Sequence, residues 1–171
     1  VLACSGKLQG IDLLLISKLL TLSAVNCIIV EADGASQKPL KAPDPLFEPV
    51  IPQQTSLVIP VVGIDSLGRV LSEENVFRSK IISKLTGLSL GKPISAEAIA
   101  TLILHPSGLT RGSPEQARII PVINKIDLHA NLSSARDIAS KILKANHPKV
   151  GRVVLGQAQV HPPVAEVISR E

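Results

Sequence analysis

Two short stretches of the chain carry side chains whose types and spacing suit chemistry. The first is Asn124-Lys125-Ile126-Asp127, which closes an apolar run, Arg118 to Ile123, that reads as a buried strand. A carboxylate placed as Asp127 is can accept two hydrogen bonds from guanine, one from N1–H and one from the exocyclic amine, a donor pair that adenine does not offer. The stem of Lys125 can lie flat against base and ribose, and Asn124 can tie the loop down while facing the other edge of the base. Asn124, Lys125 and Asp127 are therefore the candidate base readers. The plainer reading is an ordinary strand-to-helix turn, with an Asn that tolerates a left-handed backbone and an Asp that opens a helix.

The second stretch is Glu31-Ala32-Asp33-Gly34. It follows Cys27-Ile28-Ile29-Val30, a continuous β-branched run of the kind that forms a buried strand in a parallel sheet. Residues two apart in a strand point to one face, so Glu31 and Asp33 should project together. They fall where the strand leaves the sheet, the edge at which open α/β sheets bind ligands. Such carboxylates resemble the acidic end of a Walker B strand, which holds Mg²⁺ directly or through water. Asp33 and Glu31 are thus the candidate metal ligands, although Asp-Gly is also a common turn. Prolines at 39, 43, 45, 49 and 52 then exclude helix and central strand and predict a stiff surface loop. Lys38 and Lys41 on that loop can face an anionic ligand, or stand solvated as loop lysines commonly do.

What the chain lacks is as informative. Its two Gly-Lys pairs do not make a phosphate-cradling loop: Gly6-Lys7 has Val1 at the first-glycine position and Leu8 after it, and Gly91-Lys92 has Thr86 and Pro93. The histidines are isolated, with no metal-type spacing and no Cys-His pair, and neither G-x-S-x-G nor G-x-G-x-x-G occurs. Of 171 residues 45% are hydrophobic and only 1% aromatic, so the core must be aliphatic and the stacking platforms of single-strand nucleic-acid binders are missing. The formal charge is +4, but the 18 basic residues are scattered, which argues against a nucleic-acid partner. No membrane span is predicted, and Cys4 and Cys27 read as reduced thiols of a cytoplasmic protein. The chain contains no methionine, so Val1 is not read as an initiator and the N-terminus is expected to be incomplete.

The elements that would position these residues alternate between strands and helices. Helices are expected over Ile11 to Ala24, from an N-cap at Ser72 towards Leu85, over Ala96 to Leu104 behind Ser95, and over Leu132 to Ala145. Strands are expected at Cys27 to Val30, Leu57 to Ile64, Arg118 to Ile123 and Val150 to Leu155, with a short closing helix at Val164 to Ile168. The loop Ser107 to Pro114 should be exposed. This pattern predicts one α/β domain, residues 1–171, with three layers and a mostly parallel sheet.

Several stretches, taken in order, resemble the YqeC-like family. They are Gly6-Lys7-Leu8, Val30 to Ala35 (VEADGA), Pro39 to Pro43 (PLKAP), Glu48 to Pro52 (EPVIP), Gly63 to Gly68 (GIDSLG), His105 to Leu109 (HPSGL) and Val122 to Leu128 (VINKIDL). Members of that family are described as accessory proteins of selenium-dependent molybdenum hydroxylases and look like P-loop NTPases. The resemblance implies a Walker A loop upstream of Val1, outside this chain. It also implies that Arg78 matches a family position, whereas Phe77 stands where the family tends to have His. On this basis the expected function is binding of GTP, or ATP, with Mg²⁺, in the maturation of a molybdenum-cofactor hydroxylase. Asn124, Lys125, Asp127, Lys38, Lys41 and Arg78 would contact the nucleotide, and no residue is singled out as catalytic. The alternative is a non-hydrolysing chaperone whose proline-rich loop and Arg78 dock a partner enzyme or its pterin cofactor. A third reading is an unrelated enzyme using Glu31 and Asp33 as an acid–base pair.

Overall fold

The structure is a computed structural model that describes residues 10–128 and 132–170 in full, and the backbone alone of β1 (Ala3–Cys4) and β2 (Lys7–Leu8), an antiparallel pair. At its centre three strands run parallel: β4 (Val61–Gly63), β6 (Val122–Asn124) and β7 (Arg152–Gly156). Strand β8 (Val164–Ser169) adds to β7 antiparallel, so the sheet order is β4-β6-β7-β8. A shorter parallel pair, β3 (Leu57–Val58) with β5 (Arg118–Ile119), leads into β4 and β6. The breaks fall at Pro60 and Pro121, which have no N–H to give to a ladder. Their carbonyls still accept, from Val122 N and Val154 N at 2.9 Å each, so hydrogen bonding runs on across both breaks.

Helix α3 (Ala96–Leu104) packs on α4 (Leu132–Lys144), and α4 packs on β7. The seam is aliphatic throughout: Ile99, Leu102, Ile103, Ile138, Ile142, Val153 and Leu155 are all fully buried. Each such side chain contributes about 1.5–3 kcal/mol by leaving water, which is how a core nearly without aromatics holds together. Ser95 caps α3 by accepting from Ala98 N, and the helix stops at His105, before Pro106, where the sequence predicts.

Four expectations are corrected. Residues 27–30 form no strand: Ile29 is 94% exposed, and Cys27 and Val30 are exposed as well. Apolar composition buries a strand only when neighbours pair with its edges. Among the described residues none pairs with 27–30, and the backbone bonds on either side are Leu22 O accepting from Val25 N and Ala32 O accepting from Val50 N. Helix α1 is confined to Leu13–Leu19 behind the cap Asp12, and only Ile16 of it is buried. The helix expected behind Ser72 is α2 (Ser79–Thr86). Arg78, at φ 63°, has a left-handed backbone that no α-helix runs through, so residues 72–77 make turns instead. Lastly, Val164 to Ile168 is not a closing helix but lies within β8, where β-branched residues complete the open edge of β7. A short apolar run does not distinguish the two periods; the unpaired edge beside it does.

Candidate functional site

The carboxyl ends of β4 and β6 lie side by side, with Gly63 and Asn124 in register. Two polar turns follow them, Ile64–Ser66 after β4 and Ile126–Leu128 after β6. Asn124 Oδ1 accepts from Ala158 N at 3.0 Å, tying its turn to the segment that follows β7. Lys125 leaves β6 at φ 62° and sends its ammonium to Asp65 Oδ2 at 3.2 Å. Asp127 lies in the second turn and is exposed. Three neighbouring strand ends thus converge on the Asn-Lys-Ile-Asp stretch, the geometry in which parallel sheets present ligand sites.

The proline-rich loop joins the same edge. Gly63 N donates to Pro39 O at 2.8 Å, and a Cβ at Gly63 would lie 3.0 Å from the Pro39 Cβ, so a side chain there would push the loop back by a few tenths of an ångström. Beyond Pro39 the loop is held by charge. Lys41, only 6% exposed, places its ammonium 2.9 Å from Asp33 Oδ2, 2.7 Å from Glu48 Oε2 and 2.9 Å from the Gly34 carbonyl. Arg78 takes the Glu48 carboxylate with both terminal nitrogens, Nη2 to Oε1 at 3.1 Å, and stands 4.0 Å from Asp44 Oδ2. The Phe77 ring lies under both cations, 4.5 Å from the Arg78 guanidinium carbon and 5.8 Å from Lys41 Nζ. The Arg78 fork, with Lys41 behind it, lowers the Glu48 carboxyl from 4.5 to about 2.

Two further contacts tighten this arrangement. Arg111 donates to the carbonyls of Asp44 and Glu48 at 3.0 and 3.1 Å, drawing the 107–114 loop inwards, so that Gly108, Thr110 and Pro114 are buried and not exposed as expected. Glu73 accepts from Ser79 N at 2.7 Å, Ser79 Oγ at 2.9 Å and Arg78 N at 3.2 Å, capping α2, and these bonds lower its pKa. Lys38 reaches the carbonyls of Glu73 and Glu74.

The residues singled out from sequence therefore fall into two groups on one edge. Asp33, Lys41 and Arg78 meet around Glu48, while Asn124 and Lys125 meet Asp65 and Ala158. Lys38, Glu31 and Asp127 stand outside these contacts. Both lysines of the loop donate to the protein's own oxygens. The Lys41 ammonium fills the place beside Asp33 that a directly bound cation would take, and Glu31 is exposed. No cluster of three or more His, Cys, Asp or Glu suited to a metal occurs among the described residues, and a pair of carboxylates such as Asp33 and Glu31 matches Mg²⁺ in ligand type only together with phosphate oxygens and water. Sequence reasoning missed Glu48, Asp65, Glu73 and Arg111. Glu48 and Asp65 left a signal, since each lies in a stretch that resembles the family, Glu48 to Pro52 and Gly63 to Gly68.

These features define an α/β protein with a mainly parallel sheet, its carboxyl edge carrying two polar turns and a charge-locked loop. Within that class the chain is similar to the YqeC family. The family model described as "YqeC protein" matches residues 2–80. A protein of Escherichia coli (strain K12), described as "Uncharacterized protein YqeC", is 32% identical over 163 residues, which make up 95% of this chain and 62% of that protein. The chain thus spans less than two thirds of the length of this relative. No solved structure matches it. No helix among the described residues is long and apolar enough to cross a membrane.

Proposed function

We propose that the protein binds a purine nucleotide, GTP before ATP, at the carboxyl edge of the sheet, as a cytoplasmic accessory protein in the maturation of a molybdenum-cofactor hydroxylase. The observation that carries the nucleotide reading is the placement of Asn124-Lys125-Ile126-Asp127 at the end of a parallel strand, with Asn124 bonded to the segment after the next strand. Asp127 is exposed and free to meet a base edge, and Asn124 holds the turn that presents it. Mg²⁺ would arrive with the phosphates and supply charge neutralisation there. Asp33 and Glu31 are the acids proposed for it, Asp33 only once Lys41 releases it. The link to a molybdenum hydroxylase rests on the family resemblance.

The test is calorimetry of GTP against XTP on the full-length protein and its Asp127→Asn variant. Asn exchanges one acceptor for a donor, which suits the 2-oxo group of xanthine. An unpaired buried group costs about 1–3 kcal/mol, so preference should shift towards XTP by about ten- to a hundredfold. Identical preferences in the two proteins would reduce Asp127 to a turn residue and remove the GTP assignment.

One observation favours the non-hydrolysing alternative, a chaperone for the hydroxylase or its pterin cofactor. The turn 44–48 is bolted down by Arg111, Arg78 and the Asp44 side chain, yet it holds Leu46 and Phe47 about three-quarters exposed, at 77% and 74%. A pre-ordered apolar pair loses little freedom on docking. Binding of GTP without turnover, together with co-purification of a hydroxylase, would select this reading.

A further inference from the structure

We propose that Asp65 is a positioning residue of the base site, holding the Lys125 ammonium so that the aliphatic stem spans the gap between two strand ends as the ledge for the base. The inference rests on the nucleotide reading above and concerns the turn after β4, to which that reading gives no role. Because Gly63 and Asn124 are in register, Asp65 and Lys125 leave neighbouring strands at nearly the same height. Lys125 does so with a left-handed backbone, a conformation that a long side chain adopts at a cost and that needs a tertiary contact to keep it. The contact is the 3.2 Å ion pair with Asp65 Oδ2.

Asp65 is itself fixed on every side. Arg69 Nε donates to its carbonyl at 2.6 Å, and Arg69 Nη2 stands 3.8 Å from Oδ2. Ser66 Oγ closes the turn on the Gly63 carbonyl at 2.8 Å. The other carboxylate oxygen, Oδ1, is tucked against Gly63, where a Cβ would come within 2.3 Å of it. Oδ1 is buried and accepts no hydrogen bond among the described residues. A buried acceptor without a donor is destabilising, and such groups in native folds call for a specific reason. Keeping Oδ2 on Lys125 supplies one here. Asp65, Gly68, Arg69 and Leu128 also line an open depression between the two turns, beside the ledge.

A residue that acts through the lysine stem should change affinity without changing which base is chosen, since choice belongs to Asp127. The experiment is a double-mutant cycle on the full-length protein, reading GTP and XTP dissociation constants with Mg²⁺ for wild type, Asp65→Asn, Lys125→Met and the double variant. Asp65→Asn should weaken both nucleotides about two- to fivefold with their ratio unchanged. The double variant should bind no more weakly than Lys125→Met alone. Should Asp65→Asn not fold, Asp65→Ser, smaller and equally uncharged, enters the same cycle. Additive losses, or a changed GTP-to-XTP ratio in Asp65→Asn, would overturn the positioning role while leaving the nucleotide reading standing. A wild-type protein that binds neither nucleotide would overturn both.

Discussion

Replacing Glu48 by Gln keeps the side chain's size and one acceptor oxygen but removes the charge shared by Arg78 and Lys41. The carboxyl is lowered from 4.5 to about 2, chiefly by the Arg78 fork. One pKa unit corresponds to about 1.4 kcal/mol, so the folded state gains roughly 3 kcal/mol from ionised Glu48. A quarter of the side chain, 24%, is open to solvent, and screening trims the expected loss in Glu48→Gln to about 2 kcal/mol at pH 7. The sign with pH follows from the direction of the shift. A depressed acid stabilises the fold fully above its unfolded value near 4.5, and that contribution disappears as pH falls through about 2. Urea titrations of both proteins between pH 7 and pH 2 measure the difference, in which carboxylates outside the cluster cancel. The gap should be flat from pH 7 to about 5 and close steadily below 4.5. Arg111 holds the loop through backbone carbonyls that the substitution leaves in place, so the urea slope should not change. Equal stability at pH 7 would show that the Glu48 contacts contribute nothing to folding and that the loop is held by its prolines, and a gap that persists undiminished at pH 2 would show that the loss does not come from the charge of the carboxylate.

Other outcomes follow from single contacts. Glu73→Ala removes the acceptor for Arg78 N and Ser79 N at the start of α2, and should lower stability by about 1 kcal/mol in thermal melts, whereas Ser72→Ala should change it far less. Ile138→Ala, at the centre of the α3–α4–β7 seam, should cost about 2–5 kcal/mol in urea unfolding. Asp33→Asn should weaken the Mg²⁺ dependence of nucleotide binding, measured by calorimetry with and without the metal, and leave the fold intact. An unchanged dependence would end the assignment of Asp33 to the metal.

Local pattern alone was enough for α3 with its Ser95 cap, for α4, and for the strands ending at Gly63, Asn124 and Gly156. In each, periodicity, a capping side chain or a β-branched run points the same way as the packing. The Asn-Lys-Ile-Asp turn was legible for the same reason, because a buried strand puts its end at a definite place. What the tertiary structure decided are the cases where a residue's neighbour lies far along the chain. The run at 27–30 is as apolar as any strand here, but without partners among the described residues its composition leaves it exposed. Val164 to Ile168 became strand because β7 offered an open edge 8 to 15 residues away in register. Lys38 and Lys41 look, in sequence, like cations waiting for an anion. Glu48, Asp33 and the carbonyls of Glu73 and Glu74 satisfy them first, and those partners are brought close only by the path of the loop past Gly63. Spacing along the chain tells which groups can do chemistry; which of them are already neutralised is set by long-range contacts, because Coulombic pairing depends on distance in space.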